Sequence, residues 1–415
     1  VYVYDLGSST PTVPMATLNN PSPAVEDNFG ALVAVSGTRV VVGAPYDDTG
    51  ALNAGRAYVY DVGGETPTVP LVVLDNPSPA AGDLFGFSVA VSGRWLAVGT
   101  HLDDTGATNA GIVYVYDLMS ATPAVVAFTL ENPGVDMNDR INDRFGNSVA
   151  ISGAHLVVGA YLDSTEVLNG GSAYVYDLNS STPTVPKHTL NNPSPAANDN
   201  FGNAVAISGQ HVVVSANLDD TAALNAGSAY VYDLDSGTPT VPVATLNNPS
   251  PATDDNFGHS VAISGLRVVV GALLDDTVAS NAGIVYVYDL QSGTPTVPAV
   301  VLSHPDAGAN DNFGHAVSMS GAQVVVGTLY DDAGATNSGT AFVYDMESDT
   351  PTVPVVTLNN PSPDENDNFG YSVALDRGAF VVGTPYDDTV TPNKGFASIF
   401  SFNGPEISVT GNDVM

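Results

Sequence analysis

Pairs of adjacent aspartates at a fixed spacing are the residues of this 415-residue chain whose types and positions could support chemistry. Each pair is followed, five residues after its second member, by an asparagine. Calcium takes six to eight oxygen ligands from carboxylates, amides and carbonyls. These loops therefore predict calcium sites, and calcium is the one cofactor that the sequence suggests. In one loop the pair is Asp163-Ser164, which weakens the pattern there. The candidate ligands are Asp47, Asp48, Asn53, Asp103, Asp104, Asn109, Asp163, Asn169, Asp219, Asp220, Asn225, Asp275, Asp276, Asn281, Asp331, Asp332, Asn337, Asp387, Asp388 and Asn393.

A second set of aspartates stands two residues before each of seven Phe-Gly pairs, at Asp27, Asp83, Asp143, Asp199, Asp255, Asp311 and Asp367. Aspartate and asparagine also cap tight loops, through hydrogen bonds between their side chains and the backbone. Capping predicts an aspartate in every repeat just as calcium binding does. The residues alone leave both interpretations open.

No catalytic constellation is recognisable in the sequence. The seven histidines are scattered; His155 and His211 occupy equivalent positions, as do His259 and His315, and we interpret them as variation at tolerant sites. No Gly-x-Ser-x-Gly elbow, His-Glu-x-x-His helix or P-loop occurs. A hydrolase needs one pair of carboxylates in distinct environments, whereas these pairs recur along the chain. We therefore expect a protein that is not an enzyme.

The composition narrows the class of protein further. Nine Lys and Arg against 44 Asp and Glu give a net charge of −35, which disfavours nucleic acid and anionic lipid as partners. The absence of cysteine excludes disulfides and thiolate metal sites. No apolar run is long enough for a transmembrane helix. Because Val1 falls in the middle of a repeat, we expect the sequence to begin inside a longer precursor.

An internal repeat organises the chain. The Phe-Gly pairs open at Phe29, Phe85, Phe145, Phe201, Phe257, Phe313 and Phe369, at intervals of 56 residues except for one interval of 60. The longer interval holds an insertion around Met137–Arg144. Each unit contains four apolar runs that read as strands in hairpin order, and none has helical periodicity. The expected fold is all-β, a seven-bladed β-propeller of four-stranded antiparallel blades over residues 1–403.

The repeat resembles the FG-GAP repeats of integrin alpha-like propellers. The Phe-Gly opening matches, as do Gly43-Ala44-Pro45 after the second strand and the third-strand pattern of Gly55–Tyr60. The resemblance implies a propeller that binds ligands outside the cell, in a bacterial surface protein. It does not extend to the family's Asp-x-Asp-x-Asp-Gly calcium loop, because a Ser-Gly turn replaces that loop here, as at Ser36-Gly37.

The chain ends give expectations about closure. Val1–Asp5 reads as a third strand and residues 15–18 as a fourth strand, so the N-terminal residues are expected to complete the last blade. One third strand is then surplus, and the sequence does not decide which. Residues 404–415 form a tail that resembles the start of an Ig-like module, or is disordered.

Topology predicts two different faces. The loops between strands two and three and between strands four and one lie on one face and carry the aspartates. The opposite face carries Thr-Pro-Thr-Val-Pro loops at residues 10–14, 66–70, 182–186, 238–242, 294–298 and 350–354. These loops either pack locally or form an apolar ring for assembly.

We expect an extracellular binding or adhesion module whose partner is a protein or a glycan. The alternative is a structural subunit that self-assembles into a filament or surface layer.

Overall fold

The computed structural model describes residues 3–5, 17–134, 140–377, 379–387 and 396–401; for 3–5 and 396–401 only the backbone is described. The described residues form 29 β-strands and no helix, so none of them belongs to a helix that could cross a membrane. The all-β prediction is confirmed. Asp388, Asn393, the loop 10–14 and the tail 404–415 lie outside the described residues.

Six antiparallel sheets of four strands form the blades, numbered here 1–6 in chain order from the unit that opens at Phe29 to the unit that opens at Phe313. Their first strands are β3 Leu32–Ser36, β7 Ser88–Ser92, β11 Ser148–Ser152, β15 Phe201–Ser208, β19 Phe257–Ser264 and β23 Phe313–Ser320. Their second strands are β4 Arg39–Ala44, β8 Trp95–Thr100, β12 His155–Ala160, β16 His211–Ala216, β20 Arg267–Ala272 and β24 Gln323–Thr328. Their third strands are β5 Arg56–Asp61, β9 Ile112–Asp117, β13 Ser172–Asp177, β17 Ser228–Asp233, β21 Ile284–Asp289 and β25 Thr340–Asp345. Their fourth strands are β6 Val72–Asp75, β10 Val126–Glu131, β14 His188–Asn191, β18 Ala244–Asn247, β22 Val300–Ser303 and β26 Val356–Asn359.

The remaining strands form a seventh sheet, here called the closing sheet. It joins β27 Ser372–Asp376, β28 Ala379–Thr384 and β29 Phe396–Ser401 to two N-terminal strands, β1 Val3–Asp5 and β2 Thr17–Asn19. Strand β2 pairs antiparallel with β29 and completes the sheet as predicted, whereas β1 pairs with β29 in parallel. The surplus third strand is therefore β1, because β29 occupies the third position. The prediction of seven four-stranded antiparallel blades is corrected to six such blades and one five-stranded sheet of mixed direction.

The first strands surround a central axis. They pack side by side in a closed cycle, in which each contacts the first strand of the next unit and β27 contacts β3. The closing sheet contacts blade 1 in the same way that the blades contact one another. Gly37 N donates to Asp376 Oδ2 at 2.7 Å, where between other units a hairpin serine accepts the bond, as Ser208 does from Gly265 at 3.0 Å.

The hydrophobic core lies between neighbouring sheets. Second strands are continuous apolar runs because both of their faces are covered, and Val40, Val41 and Val42 are fully buried. The phenylalanine of each Phe-Gly pair is also fully buried. In blades 1–6 it packs on a third-strand tyrosine, with ring centroids 5.5 Å apart for Phe29 and Tyr58.

Glycine in the family's Gly-Ala-Pro position is explained by how closely the sheets approach. A Cβ added to Gly43 would lie 2.2 Å from the carbonyl oxygen of Gly86, which belongs to the Phe-Gly pair of the next blade. Gly86 itself has φ of 88°, a conformation that side chains disfavour. The Phe-Gly and Gly-Ala-Pro motifs therefore supply the residues at which neighbouring blades touch.

Candidate functional site

The first aspartate of each predicted calcium pair is held inside its own loop. In blade 4, Asp219 is 2% exposed; its Oδ1 accepts the N–H of Thr221 at 2.7 Å and its Oδ2 accepts the hydroxyl of Tyr230 at 2.8 Å. The same pair of bonds is made by Asp47, Asp163 and Asp275. These carboxylates fix the entry of the loop onto the third strand.

The second aspartate caps the loop from outside. Asp276 Oδ1 accepts the N–H of Asn281 at 2.6 Å, and Asn281 has φ of 49°, a left-handed conformation in which asparagine is well tolerated. The amide of Asn281 then donates to Asn310 in the following connection, at 2.9 Å. Corresponding cap bonds join Asp48 to Asn53, Asp104 to Asn109, Ser164 to Asn169, Asp220 to Asn225 and Asp332 to Asn337.

The aspartate before each Phe-Gly pair is the third carboxylate of the unit. Asp255 is 1% exposed, and its Oδ2 accepts bonds from Asn248 Nδ2 and from the N–H of Ala252, each at 2.7 Å. Burial raises the pKa of Asp255, and the nearby charge of Asp275 raises it further. The same causes raise the pKa of Asp27, Asp83, Asp199, Asp311 and Asp367. For Asp367 the pKa reaches about 7.

The predicted ring of aspartates is thus present on one face, but as buried and capping groups. Within the described ranges, no three acidic or histidine side chains lie close enough together to hold a metal ion. Backbone N–H bonds to the first and second aspartates are those that the capping interpretation predicts. The tyrosine hydroxyl bonds of the first aspartates are additional. Calcium binding by these loops stays a prediction.

Blade 6 departs from this pattern at two positions. Phe342 replaces the tyrosine that bonds the first aspartate elsewhere, and His304 replaces the asparagine that bonds the third aspartate. His304 Nε2 lies 3.0 Å from Asp331 Oδ2, and its Nδ1 lies 3.7 Å from Asp311 Oδ2. The imidazole bonds Asp331 through Nε2, while its Nδ1 accepts the N–H of Asp306 at 3.2 Å. It lowers the pKa of Asp331 against the effect of burial.

An aromatic sector lies where the first strands begin, around the axis on the aspartate face. The residue after each Phe-Gly pair is His259 in blade 5, His315 in blade 6 and Tyr371 in the closing sheet. The His259 and His315 rings are 5.2 Å apart, and the His315 and Tyr371 rings are 5.1 Å apart. Tyr386 continues the series at 6.0 Å from Tyr371.

A recess of about 510 Å³ opens within this sector. Its lining combines rings with amides and consists of His315, Leu329, Tyr330, Asn366, Asn368, Tyr371 and Tyr386. Burial lowers the pKa of His315 to about 3 and raises that of Tyr371 to about 12. Burial also raises the pKa of Tyr386, so these three groups are uncharged at neutral pH.

Two buried polar atoms of the recess have no hydrogen-bond partner in the part of the chain that the structure describes. They are Asn368 Oδ1, on a side chain 8% exposed, and His315 Nδ1. Asn28 and Asn256, at the same repeat position as Asn368, also have an unpartnered Oδ1. A buried acceptor without a donor costs about 1–3 kcal/mol, which a ligand that donates to it would recover.

Sequence reasoning missed this recess, because we interpreted His315 as variation at a tolerant site. The sequence did contain a signal, at the residue directly before the first aspartate of each pair. Leucine stands before the first aspartate in blades 2–5, at Leu102, Leu162, Leu218 and Leu274, but tyrosine stands there in three consecutive units, at Tyr46, Tyr330 and Tyr386. Tyr330 and Tyr386 belong to consecutive units, and Tyr46 joins them because the closing sheet packs on blade 1.

The repeat matches a known protein family. A profile described as FG-GAP repeat matches residues 15–60, 77–116, 139–176, 190–232, 242–288, 299–344 and 360–400. The chain belongs to the FG-GAP repeat family. Among curated proteins, no match to the chain was found.

The FG-GAP matches follow the connections between sheets. The first match begins just before β2 and ends in β5, so it joins a fourth strand of one sheet to the first three strands of the next. The last match covers β27, β28 and most of β29. The matches 242–288 and 299–344 likewise include the fourth strand of the preceding sheet, whereas 77–116, 139–176 and 360–400 begin after it. The match 15–60 therefore contains β2, the N-terminal strand that completes the closing sheet.

Proposed function

We propose that this FG-GAP chain is a non-enzymatic binding module that acts outside the cell, in adhesion, as part of a larger bacterial surface protein. The observation that carries the proposal is the aromatic recess at the aspartate face. Pockets of this size, with apolar walls and a few placed polar groups, are typical of ligand sites. Tyr330, at 37% exposed, offers a ring to a ligand without any rearrangement of the fold.

The closing sheet is the seventh blade in this proposal. It brings Tyr371 and Tyr386 beside His315 of blade 6, so the site depends on the packing of the closing sheet on blade 6. The buried carboxylates support a binding role over a catalytic one, because each described one is hydrogen-bonded within its own loop and the same bonds recur from blade to blade. The ligand is a protein or a glycan, and calcium bound at the exposed aspartates is proposed to stabilise the module.

Replacing tyrosine by the leucine of other blades tests the proposed site. The variant Tyr330→Leu/Tyr386→Leu removes two rings and keeps residues that the repeat accepts at that position. Purified wild-type protein would be screened against arrays of extracellular matrix proteins and glycans, and hits compared with this variant. Leu218→Tyr, which adds a ring in blade 4 away from the recess, is the matched control. Hits that both variants retain would contradict the recess as the binding site.

Exposed valines support a second candidate, a structural subunit that assembles through the opposite face. Each Thr-Pro-Thr-Val-Pro loop in the described residues leaves its valine more than half exposed: Val69, Val185, Val241, Val297 and Val353 are 54–57% exposed. Local packing accounts for less than half of each side chain, so the ring remains available for association. Electron microscopy and size-exclusion chromatography would distinguish ordered polymers from single particles, and Val→Asn variants in two adjacent loops should abolish such polymers.

A further inference from the structure

We propose that the recess binds a neutral saccharide, one sugar ring of which lies among Tyr330, Tyr371 and Tyr386. The inference rests on the proposed binding function and names the ligand class for that site. It is carried by the shape of the walls, by their lack of charge and by the unpartnered polar atoms beneath them.

The walls provide flat apolar surfaces set at steep angles. The Tyr371 and Tyr386 rings are inclined by 75°, and the His315 and Tyr371 rings by 59°. These rings pack on one another, with centroids 5.1 and 6.0 Å apart, and form a continuous aromatic wall of the recess. A pyranose presents C–H groups on its faces and hydroxyls at its edge, so one ring of the sugar can contact apolar walls while its edge meets polar atoms. Tyrosine is suited to this role, since its body is apolar and its hydroxyl end is polar.

The polar atoms of the recess match hydroxyl groups. Asn368 Oδ1 requires a donor, and no described residue supplies one. His315 Nδ1 is equally unpartnered, and a hydroxyl can either donate to it or accept from it. Sites whose buried polar groups await a hydroxyl reject ligands that lack it, because those groups then stay unpaired. Both atoms have almost no exposed surface, so a ligand hydroxyl reaches them only after a small movement of the surrounding side chains. A ligand with hydroxyls can then satisfy them, whereas a purely apolar ligand cannot.

The uncharged walls favour a saccharide over an organic cation as the ligand of the recess. The net charge of −35 would attract cations to the protein as a whole. None of the described lining residues is a carboxylate, so an ammonium or guanidinium group would find no ion pair there. Oδ2 of the neighbouring Asp367 accepts two capping bonds, from Asn360 and from the N–H of Asp364, each at 2.7 Å, while its Oδ1 is buried with no partner among the described residues. A neutral ligand loses nothing from this arrangement.

Saturation-transfer NMR on the whole chain tests the inference with defined probes. The probes are the methyl pyranosides of glucose, galactose, mannose, fucose and N-acetylglucosamine, with Nα-acetyl-lysine amide and Nα-acetyl-arginine amide as cations. We expect transfer to ring C–H protons of at least one pyranoside, with an affinity that is unchanged between 50 and 500 mM salt. Binding should weaken at least about tenfold in Tyr330→Leu/Tyr386→Leu, the loss of two ring contacts, and remain in Leu218→Tyr.

A second variant keeps the test independent of the tyrosines. His315→Asn introduces the residue that blades 3 and 4 carry at this position, as Asn147 and Asn203, so the fold is expected to be retained, as circular dichroism would check. It should alter the preference among the pyranosides by removing one polar contact. Transfer to no pyranoside would overturn the inference, as would sugar binding that both recess variants retain unchanged. Binding of the cationic amides alone, weakened by salt and lost in the tyrosine variant, would overturn the saccharide but leave the proposed binding function intact.

Discussion

His304 Nε2 lies 3.0 Å from Asp331 Oδ2, in the one blade where the tyrosine that otherwise bonds this aspartate is replaced by Phe342. The histidine and phenylalanine also pack edge to face, with ring centroids 4.9 Å apart. The two replacements compensate for each other: the phenylalanine removes a hydroxyl donor and the histidine supplies an N–H donor from another strand.

The first prediction is that these two positions are energetically coupled. His304→Asn should lower the free energy of unfolding by about 1–3 kcal/mol, because Asp331 Oδ2 then lacks a donor while Phe342 cannot provide one. His304→Asn/Phe342→Tyr restores the pair found in blades 1, 3, 4 and 5 and should recover most of the loss. Urea denaturation of the four members of this double-mutant cycle measures the coupling. Additive effects of the two substitutions would contradict it.

The second prediction concerns Asp367, whose pKa of about 7 lies above the unfolded value of 3.8. The folded state then binds the proton more tightly, so this group's contribution to stability falls as pH rises from about 4 to 7 and is constant above. Asp367→Asn removes that dependence. The variant should gain stability relative to wild type by up to about 1.4 kcal/mol per pH unit across this window.

Denaturation of both proteins at pH 5, 6, 7 and 8 checks this expectation. Asp349→Asn serves as the control, since Asp349 is an exposed aspartate of a loop on the opposite face. A difference between Asp367→Asn and wild type that does not change with pH would rule out a raised pKa at Asp367.

The third prediction concerns His259 and His315, which should make the protein less stable as the pH falls. Burial lowers the pKa of His259 to about 4 and that of His315 to about 3, both below the ordinary value of 6.5. The unfolded state therefore takes up protons first, and each histidine destabilises the fold by about 1.4 kcal/mol per pH unit as pH falls below 6.5. His259→Asn/His315→Asn, with the asparagine of blades 3 and 4, should unfold at lower pH than wild type. Identical acid midpoints by circular dichroism would show that neither histidine is held neutral by the fold.

The fourth prediction is that calcium stabilises the protein through the exposed second aspartates of the loops. Their charges lie on one face and repel one another, and an ion that binds only the folded state adds about 2.7 kcal/mol per site at a hundredfold excess over its dissociation constant. Thermal unfolding in calcium and in chelator, at equal high ionic strength, measures the effect. Asp276→Asn should remove one blade's share. A melting temperature that is the same in both solutions would leave the aspartates as loop caps.

The sequence by itself determined the repeat and most of each blade. Phe-Gly pairs, Ser-Gly turns and continuous valine runs act over a few residues, so their structural meaning is local: Gly37 turns a hairpin with φ of 60°, and Val40–Val42 is buried as a second strand. The role of the aspartates as caps was one of two interpretations, because capping and calcium binding use the same side chains.

Tertiary structure decided what depends on distant residues. The place of β1 followed from competition with β29 for the third position, since the sheet can hold only one strand there. His304 gained its role from Asp331, 27 residues away, and from a hydroxyl that is missing at Phe342. The recess joins Tyr371 and Tyr386 of the closing sheet to His315 and Tyr330 of blade 6. These are consecutive units of the chain, but the repeat spacing does not tell which of their side chains face one another, because that depends on the angle at which the two sheets pack.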